Sequence, residues 1–576
     1  MTSAVLGTFG RESSPPPIGK GLPAIVPLLV AGALAACLPA AVAAQGRIEL
    51  RDVTAESGIA FVHTDGSGGQ RYIMEAMSSG LVLFDYDGDG FKDIYFLNGA
   101  PHEGTEPPES PPRNALYRNN GDWTFTDVTE EAAVGDIGFA LGAAAADFNN
   151  NGHLDLYVNN FGRNVLYRNN GDGTFTDVTA EAGVGCGEKV GAGVAFLDIN
   201  GDGNLDLYVA NYVKFSYEKH VPHVHMGVPS YPSPMDHEPE PDNLFRNNGD
   251  GTFTDVSEES GIAQYAGTSM GMVCGDFNDN GHTDIFIGND VMPNFLFLND
   301  GSGRFSEVGT FFGVAFDAEG GVHGSMGTDL GDYDNDGLLD LFVTSYGGEL
   351  STLYRNLGGG FFEDVTRRSG AGAATFPHVT WGHGLIDFDN DGYRDIFIAC
   401  GDLDDNIELR RDTTAYELPN ILKRNDGGGR FTDVSAESGD GMQVRRSSRG
   451  VVFGDLDNDG RMDVVVLNSR TEPTVLRNES PGAHRWLQIR LRGTRSNRDG
   501  VGARVKVVAG DLVQVDEVRS GRSYQSHFGL RLHFGLGPRD RVDRVEVRWT
   551  GGRTEVFGQI EVDRVVTLVE GAVKTR

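Results

Sequence analysis

The sequence predicts an all-β fold, a seven-bladed β-propeller followed by a small C-terminal β domain. Three observations predict it. A nine-residue acidic loop occurs seven times along the chain. Each loop lies within a repeat of roughly 50 to 80 residues, a period typical of propellers and other repeat arrays. The first and last repeats are incomplete in complementary ways. The 81 glycines supply the turns that such a fold needs, and 39% hydrophobic residues are enough for its interior.

Each acidic loop has an oxygen-bearing side chain at positions 1, 3, 5 and 9 and glycine at position 6. This is the ligand order of the first nine positions of a calcium-binding loop, in which position 7 contributes a backbone carbonyl. No glutamate follows at position 12, so the loops are not EF-hands. The predicted calcium ligands, from positions 1, 3, 5, 7 and 9, are Asp85, Asp87, Asp89, Phe91, Asp93; Asp147, Asn149, Asn151, His153, Asp155; Asp198, Asn200, Asp202, Asn204, Asp206; Asp276, Asn278, Asn280, His282, Asp284; Asp332, Asp334, Asp336, Leu338, Asp340; Asp387, Asp389, Asp391, Tyr393, Asp395; and Asp455, Asp457, Asp459, Arg461, Asp463.

Aspartate, asparagine and glycine also favour tight turns without any metal. Seven copies of one spacing make turn propensity alone an insufficient explanation, and we expect up to seven Ca²⁺ ions. Carboxylate count tunes calcium affinity, so the second and fourth loops, with two asparagines each, should bind most weakly. Without metal the carboxylates of a loop repel one another, so we expect folding and calcium binding to be coupled.

Each repeat contains four short β-rich runs, called A to D. A small-residue run such as 141–146 leads into the acidic loop, and an alternating run such as 155–158 leaves it. A Leu-Tyr-Arg-Asn element (166–169), an Asn-Gly turn and a Phe-Thr-Asp-Val-Thr element (175–179) follow. Short β-rich runs separated by Asn, Asp and Gly turns are typical of strands in hairpins. Four strands per repeat make one propeller blade.

The two ends of the array predict how the ring closes. Residues 50–54 read as a D strand with no preceding partners, and residues 475–478 read as a C strand with no D strand after it. The N-terminal strand should therefore complete the seventh blade, which removes the open edges of the array. The predicted domains are a signal segment at 1–44, the propeller at 47–480 and the C-terminal domain at 484–571.

The loops and repeats resemble FG-GAP/VCBS repeats, as in integrin α-chain propellers, over residues 47 to about 480. The next part of the chain resembles the ASPIC/UnbV domain that follows such propellers in bacterial relatives of cartilage acidic protein. The segments that carry this second resemblance are Trp486–Ile489, Ser496–Arg504, Ser520–Gly521, Tyr524–Ser526 and Leu532–Gly537. The resemblance implies an extracellular calcium-binding or adhesive protein without an established enzymatic mechanism.

The chain is strongly acidic, with a formal net charge of −35, although residues 484–576 hold 18 Lys+Arg against 11 Asp+Glu. Nucleic-acid binding requires clustered basic residues that replace counterions, so the composition argues against a nucleic-acid partner. In the basic C-terminal part the arginines of 544–548 alternate with valine and glutamate, which is typical of the solvated face of a strand.

The N-terminus predicts export from the cytoplasm. Arg11 and Lys20 precede an apolar run from Pro23 to Ala44, which is typical of a secretory signal. Cleavage near Ala44 is one hypothesis, and the other is a bacterial lipobox in which Cys37 becomes a lipid anchor. Either route gives a secreted, periplasmic or cell-envelope protein. No later stretch approaches the roughly 20 apolar residues of a membrane span.

The face opposite the calcium loops is the predicted ligand face. Calcium loops join strands A and B, so the B-to-C connections lie at the other end of each blade. The long insertions 99–113, 211–242 and 400–419 are all of this type, and long loops on a rigid scaffold commonly carry binding. We therefore expect a protein or glycan ligand on this face.

Two groups of residues on that face are candidate sites. The proline-rich insert 211–242 contains four histidines that either bind zinc or copper as a second metal site or are solvated: His220, His223, His225 and His237. Residues just before the A strands should ring the channel mouth, where they either hold an anionic or sugar ligand or fill the channel: His323, Trp381, His383, Arg446 and Arg449.

The sequence leaves two functional hypotheses. The first is an extracytoplasmic calcium-binding propeller that acts as a non-enzymatic binding, adhesion or scaffold protein. The alternative is a cell-envelope enzyme with its site at the channel mouth or in the insert 211–242. No nucleophile elbow, phosphate loop, HExxH or dinucleotide fingerprint is present, and we predict no catalytic residues.

Overall fold

The computed structural model describes residues 46–105, 110–411 and 413–573. The predicted signal segment, including Cys37, lies outside the described residues. The described strands are, in chain order, β1 (Leu50–Asp52), β2 (Leu81–Phe84), β3 (Asp93–Phe96), β4 (Ala115–Asn119), β5 (Phe125–Asp127), β6 (Phe139–Ala146), β7 (Asp155–Phe161), β8 (Val165–Asn169), β9 (Phe175–Asp177), β10 (Gly191–Leu197), β11 (Asp206–Asn211), β12 (Val213–Lys214), β13 (His223–His225), β14 (Val228–Ser230), β15 (Glu238–Pro241), β16 (Asn243–Asn247), β17 (Phe253–Asp255), β18 (Ala266–Gly267), β19 (Ser269–Gly275), β20 (Asp284–Asn289), β21 (Phe295–Asn299), β22 (Phe305–Glu307), β23 (Thr328–Gly331), β24 (Asp340–Val343), β25 (Thr352–Asn356), β26 (Phe362–Asp364), β27 (Thr380–Ile386), β28 (Asp395–Cys400), β29 (Leu418–Pro419), β30 (Ile421–Asn425), β31 (Phe431–Asp433), β32 (Arg445–Arg446), β33 (Ser448–Gly454), β34 (Asp463–Asn468), β35 (Thr474–Asn478), β36 (Arg485–Arg492), β37 (Arg504–Ala509), β38 (Leu512–Glu517), β39 (Arg531–Gly537), β40 (Arg541–Val542), β41 (Arg544–Arg548), β42 (Thr554–Phe557), β43 (Ile560–Glu561) and β44 (Arg564–Val569).

Helices in the described residues are short. The α-helices are α1 (Ile73–Met77), α2 (Thr129–Ala132), α3 (Thr179–Ala182), α4 (Ser257–Ser260), α5 (Gly309–Phe312) and α6 (Thr366–Ser369). The 3₁₀ turns are Tyr217–Lys219, Pro234–Asp236, Ile262–Gln264, Ile407–Leu409, Ser435–Glu437 and Asp440–Gln443. The predicted all-β class is confirmed. Within the described part of the chain, no helix is long and apolar enough to cross a membrane.

Seven four-stranded antiparallel sheets occupy residues 50–478. Their strand orders are β2-β3-β4-β5, β6-β7-β8-β9, β10-β11-β16-β17, β19-β20-β21-β22, β23-β24-β25-β26, β27-β28-β30-β31 and β33-β34-β35-β1. The first strand of each sheet contacts the first strand of the next, and β33 contacts β2. This closed series of sheets is the arrangement of a β-propeller. Strand β1 completes the last sheet by pairing with β35, Leu50 opposite Asn478.

The core lies between adjacent sheets. The first strand of each sheet lies next to the channel and is buried along its whole length, as β6 and β10 show, because each sheet packs on a neighbour on both faces. Between the first two sheets, Tyr95 and Leu116 pack with Leu156 and Val158 in one apolar cluster. This double burial is the reason that these strands read as continuous apolar runs rather than alternating ones.

A buried asparagine at the end of the third strand joins each sheet to the one before it. Asn169 Nδ2 donates to the carbonyl of Leu154 in its own loop at 3.1 Å and to that of Tyr86 in the preceding loop at 2.8 Å. The corresponding asparagines are Asn247, Asn299, Asn356, Asn425 and Asn478. Asn119 donates to Lys92 and, across the closure of the ring, to Leu456 at 2.8 Å.

The C-terminal part forms its own sheets, β39-β36-β44, β38-β37-β41-β42 and β40-β43. It packs on the face that carries the acidic loops, and one apolar cluster runs through both parts, with Phe148 and Phe196 on the propeller side and Ile489 and Trp549 on the other. Contact is close at Gly460, where a Cβ would lie 1.9 Å from the Trp486 ring. Glycine at position 6 of this loop is therefore required for two reasons, its positive φ and the close packing of the Trp486 ring.

A loop between β38 and β39, residues 519–528, enters the central channel. All ten of its residues are buried, and isolated bridges join Val82 to His527 and Thr328 to Ser523. Gly80 has no side chain because a Cβ there would lie 1.9 Å from the Gln525 carbonyl oxygen. We call residues 519–528 the channel plug. The propeller and the C-terminal part belong to one compact unit, 46–576.

The asparagine bonds between sheets predict a stability effect. We expect Asn247→Ala to lower the free energy of unfolding by about 2–4 kcal/mol, because two buried carbonyls lose their donor. The matched control is the exposed neighbour, Asn248→Ala, which loses only local bonds to Thr252 and Thr254 and should cost about 0.5 kcal/mol. Denaturant unfolding of both variants checks this, and equal losses would contradict the assigned role.

Candidate functional site

The conformation of the acidic loops is stabilised by hydrogen bonds from backbone N–H groups to aspartate and asparagine side chains. In the sixth loop, Asp387 Oδ2 accepts from the Gly392 N–H at 2.8 Å, and Asp391 Oδ1 accepts from the Tyr393 N–H at 2.8 Å. The ninth-position Asp395 accepts from the Phe388 N–H at 3.1 Å and the Asn425 N–H at 2.8 Å. The same two acceptor roles recur at the ninth position of every loop.

Four loops bring three carboxylate oxygens within 4.8 Å of one another. These groups are Asp85, Asp87, Asp93; Asp332, Asp334, Asp336; Asp387, Asp389, Asp395; and Asp455, Asp457, Asp463. They belong to the four loops that have aspartate at positions 1, 3, 5 and 9. Among the described residues, the loops that begin at Asp147, Asp198 and Asp276 form no such group.

The buried carboxylates of these loops favour the binding of a cation. Burial raises the pKa of the ninth-position aspartates well above their ordinary value in all seven loops. Burial and neighbouring carboxylates raise the pKa of Asp332 to about 7 and that of Asp455 to about 6. Asp389 Oδ2 is buried without a hydrogen-bond partner among the described residues. Converging hard oxygen donors of this kind fit Ca²⁺.

Arginines of the C-terminal part contact two of the remaining loops. Arg548 Nη2 lies 2.5 Å from Asp276 Oδ2, and Arg498 Nε lies 3.9 Å from Asp147 Oδ2. These are the first aspartates of the fourth and second loops, which carry two asparagines each. A guanidinium therefore supplies positive charge at the two loops that have fewest carboxylates.

The side chains at position 7 have a packing role that the sequence did not reveal. Tyr393 and Phe91 lie over Gly427 and Gly121, so a Cβ at either glycine would be within about 3 Å of the ring. Each glycine lies in the turn between strands C and D of the same sheet. His153, His282, Asn204 and Leu338 are placed in the same way on Gly171, Gly301, Gly249 and Gly358. Arg461 instead donates to the Asn478 carbonyl at 3.0 Å.

The four histidines of the 211–242 insert are dispersed. His220 Nε2 lies 2.9 Å from the Gln70 carbonyl, and its ring packs on Tyr72. His223 lies 4.0 Å from Asp236, and the ring of His237 is 6.1 Å from that of Phe215. His225 is exposed on β13. In the part of the chain that the structure describes, no group of three metal-ligating side chains forms around them.

The predicted channel-mouth residues fall into two sets. Trp381, His383 and Arg449 are fully buried around the channel plug: the Trp381 ring meets the Tyr524 ring at 5.1 Å, and the His383 N–H donates to Ser523 Oγ at 2.8 Å. The other two lie outside the channel. These are His323, which is 3.0 Å from Asp317, and Arg446, which is 2.7 Å from Glu472.

Comparison with known proteins identifies both parts of the chain. The FG-GAP-like repeat model matches residues 85–158, 147–209, 236–287, 276–343, 332–398 and 387–466. The ASPIC and UnbV model matches residues 493–575. Both resemblances inferred from the sequence are confirmed.

Curated relatives are cartilage acidic protein 1 from Mus musculus and from Homo sapiens. The mouse protein is 27% identical over 372 residues, 63% of this chain and 52% of the relative; the human protein is 28% identical, over 63% and 51%. The chain thus spans about half the length of these relatives. Among solved structures, the rhamnogalacturonan lyase PL11 of Bacillus licheniformis is similar over 69% of this chain and 71% of that chain, with 14% identity and a TM-score of 0.35.

The seating of the channel plug predicts a second stability effect. Arg522 Nε donates to Asp329 Oδ1 at 2.6 Å, and both side chains are buried. We expect Arg522→Met to cost about 3–5 kcal/mol, because it leaves the buried Asp329 carboxylate uncompensated. The matched control, Arg541→Met, removes an exposed ion pair with Asp543 and should cost less than about 1 kcal/mol. Thermal unfolding compares them, and similar melting temperatures would contradict the buried pairing.

Proposed function

This chain belongs to the FG-GAP-like repeat family, and on that premise we propose that it is an extracytoplasmic calcium-binding β-propeller that acts as a non-enzymatic binding, adhesion or scaffold protein. One observation carries the proposal. Four loops of one face each bring three carboxylate oxygens within 4.8 Å, and burial makes that concentration of negative charge unfavourable without a cation.

Calcium supplies positive charge and hard-cation coordination at these loops. The side-chain oxygens of positions 1, 3, 5 and 9 and the carbonyl of position 7 would hold it. Weak sites of this kind fill where free calcium is high, which is outside the cytoplasm, and the apolar N-terminal segment 23–44 supports export. The two placements of the mature chain, secreted or anchored at Cys37, both satisfy this requirement.

The number of ions follows from the carboxylate count and from competing guanidinium groups. We expect the first, fifth, sixth and seventh loops to bind most tightly and the second and fourth most weakly. Guanidinium groups approach loops of both kinds, Arg498 and Arg548 at the second and fourth loops and Arg355 at Asp334 and Asp336 of the fifth, so the carboxylate count sets the expected order. Seven ions per chain is therefore an upper limit.

The partner-binding surface lies on the face opposite the acidic loops. The C-terminal part covers the loop face, whereas the opposite face presents the insertions. Large apolar side chains are exposed there, including Val221, Met226, Met235 and Leu409, at 60–75% of their surface. Exposed apolar groups near one another are typical of an interaction surface, which supports a protein or glycan partner on this face.

Calcium content and melting temperature test the proposal. We expect several ions per chain by mass spectrometry and a large loss of melting temperature in EGTA, since each site filled at 100 times its Kd contributes about 2.7 kcal/mol. Asp389→Asn should remove one ion and lower the melting temperature in calcium, with little loss in EGTA, because it relieves repulsion among buried carboxylates.

The matched control for this variant is Asp426→Asn. Asp426 is exposed in a neighbouring turn, where it accepts only the Gly428 and Arg430 N–H groups. This control should keep the calcium content of the unmodified protein. If calcium alters neither the metal content nor the melting temperature, the acidic loops are plain turns and the proposal fails.

The pH dependence of stability in chelator is a further prediction. Burial raises the pKa of Asp332 to about 7. A carboxyl whose pKa is higher in the folded state gives stability that is present at low pH and lost as pH rises through the folded pKa. In EGTA, stability should therefore rise as pH falls from 8 to 7.

In calcium the rise over this range should be smaller, because the bound ion keeps the loop carboxylates deprotonated while Asp290, whose pKa burial raises to about 7, still titrates. Buried histidines contribute little between pH 8 and 7, since burial lowers their pKa, as at His383 to about 4. Chemical unfolding at both pH values measures the difference. A stability in EGTA that falls between pH 8 and pH 7 would contradict uncompensated buried carboxylates.

A further inference from the structure

A cavity of about 310 Å³ lies over the mouth of the central channel, on the face opposite the acidic loops. Its floor is apolar and is formed by Met77, Met270, Met326 and Trp381. The channel plug supports this floor, because Tyr524 packs edge-on against Trp381 and donates to the Met77 carbonyl at 3.0 Å. An apolar floor and a volume of this size are typical of small-molecule sites.

Two insertions close over the cavity and are joined to each other. One is the segment from β13 to Pro234, and the other is the segment that contains the 3₁₀ turn Ile407–Leu409. Asn406 Nδ2 donates to the Pro229 carbonyl at 2.9 Å, and the Tyr231 N–H donates to Asp404 Oδ1 at 3.1 Å. The two bonds hold the walls together, so the cavity is formed in the chain itself.

Two buried polar side chains of the cavity wall have atoms without a partner among the described residues. Ser230 is 3% exposed, and its Oγ makes no hydrogen bond. The Arg410 side chain is 7% exposed, and its Nε makes none. Buried polar atoms are nearly always paired. The Ser230 hydroxyl and the Arg410 guanidinium line the same cavity, and each has a polar atom without a hydrogen-bond partner in the described part of the chain. This indicates that an acceptor group of a ligand forms the missing hydrogen bonds.

The charges of the wall favour an anionic acceptor. Arg410 and Arg411 are adjacent, and among the described residues Arg410 pairs with the Asp404 carboxylate, which also pairs with Arg71. The described contact of the Arg411 guanidinium is the Gly347 carbonyl at 3.5 Å. Of the charged residues that line the cavity on this wall, two are the guanidinium groups of Arg410 and Arg411 and one is the carboxylate of Asp404.

The opposite wall has one carboxyl group, Asp290, which accepts from the Tyr212 hydroxyl at 2.6 Å. Burial raises the pKa of Asp290 to about 7, and the charge of Glu349 acts in the same direction. Asp290 is therefore partly protonated near neutral pH, and in that form it repels an anion less and can donate a hydrogen bond.

We propose that this cavity binds a small monocarboxylate with an apolar body. The carboxylate lies towards Ser230, Arg410 and Arg411, and the apolar body lies on the methionines and Trp381. Charge-assisted hydrogen bonds from guanidinium to carboxylate are among the strongest in proteins, so the head group sets the orientation. This site goes beyond the proposed function because it requires neither calcium nor a macromolecular partner.

Three probes that share one body and differ in their head group test the proposal. They are 4-phenylbutyrate, 4-phenylbutanol and 4-phenylbutylamine, titrated calorimetrically into the full chain in calcium. We expect phenylbutyrate to bind with one-to-one stoichiometry and at least about tenfold more tightly than the other two. Equal or tighter binding of the amine, or no binding of any probe, would overturn the proposal.

Variants locate the binding within the cavity. Ile407 lines the cavity and is 2% exposed, whereas Leu409 in the same turn is 74% exposed. Ile407→Trp should abolish phenylbutyrate binding, and its matched control, Leu409→Trp, should leave it unchanged. Ser230→Ala and Arg411→Met should each weaken binding roughly tenfold.

Melting temperatures show which variants fold. If Ile407→Trp does not fold, Ser230→Ala tests whether phenylbutyrate binds in this cavity. Phenylbutyrate binding that survives both Ser230→Ala and Arg411→Met at full strength would place the probe elsewhere and overturn the assignment. Repeating the titration in EGTA, at a temperature where the chain stays folded, separates this site from the acidic loops.

Discussion

One buried carboxylate per repeat holds the fold together. The ninth aspartate of each loop accepts one N–H from the start of its own loop and another from the asparagine that ends strand C, as Asp155 does with Phe148 and Asn169. The asparagine side chain then donates to the loop of the preceding sheet. Loop, strand and neighbouring sheet are thus joined at one point, seven times around the ring. Because the charge of that carboxylate is buried, the same arrangement that organises the sheets also makes the loops unfavourable without a compensating cation.

The C-terminal part completes the propeller as well as following it. The channel of a propeller would otherwise leave strand edges and polar groups facing a narrow opening, and residues 519–528 fill it. Asp516 beside the plug is deeply buried, yet Arg394, Arg519 and Arg522 hold its pKa well below the ordinary value in spite of burial. An ionic network of this kind requires all its members together. The plug also reaches the opposite face, where Tyr524 supports the floor of the cavity, so the two faces are mechanically linked.

The sequence predicted what depends on local spacing. The acidic loops, the four runs per repeat and the role of residues 50–52 as a last strand could be read because each is encoded within a few residues of its own position. The inter-sheet role of Asn169 could not, although asparagine recurs at that place in all seven repeats, because its second acceptor, Tyr86, is 83 residues away. The motif Tyr524–Ser526 carried a family resemblance without revealing that it enters the channel. His383 and Arg449 were placed near the channel, but whether they face a ligand or a plug depends on residues 519–528, which lie far along the chain from both.

The places where the seven repeats differ indicate where specific function lies. The ring is nearly symmetric at its asparagines and ninth aspartates, which is what closure requires. Symmetry is broken on the loop face by Arg498 and Arg548, which approach the two loops poorest in carboxylates. It is broken on the other face by the insertions joined through Asn406 and Asp404. The first departure serves assembly, since both arginines belong to the C-terminal part and join it to the loop face. The insertions on the other face are not needed to close the ring. They enclose a cavity rather than fill space, and a ligand-binding role explains this better than a purely structural role.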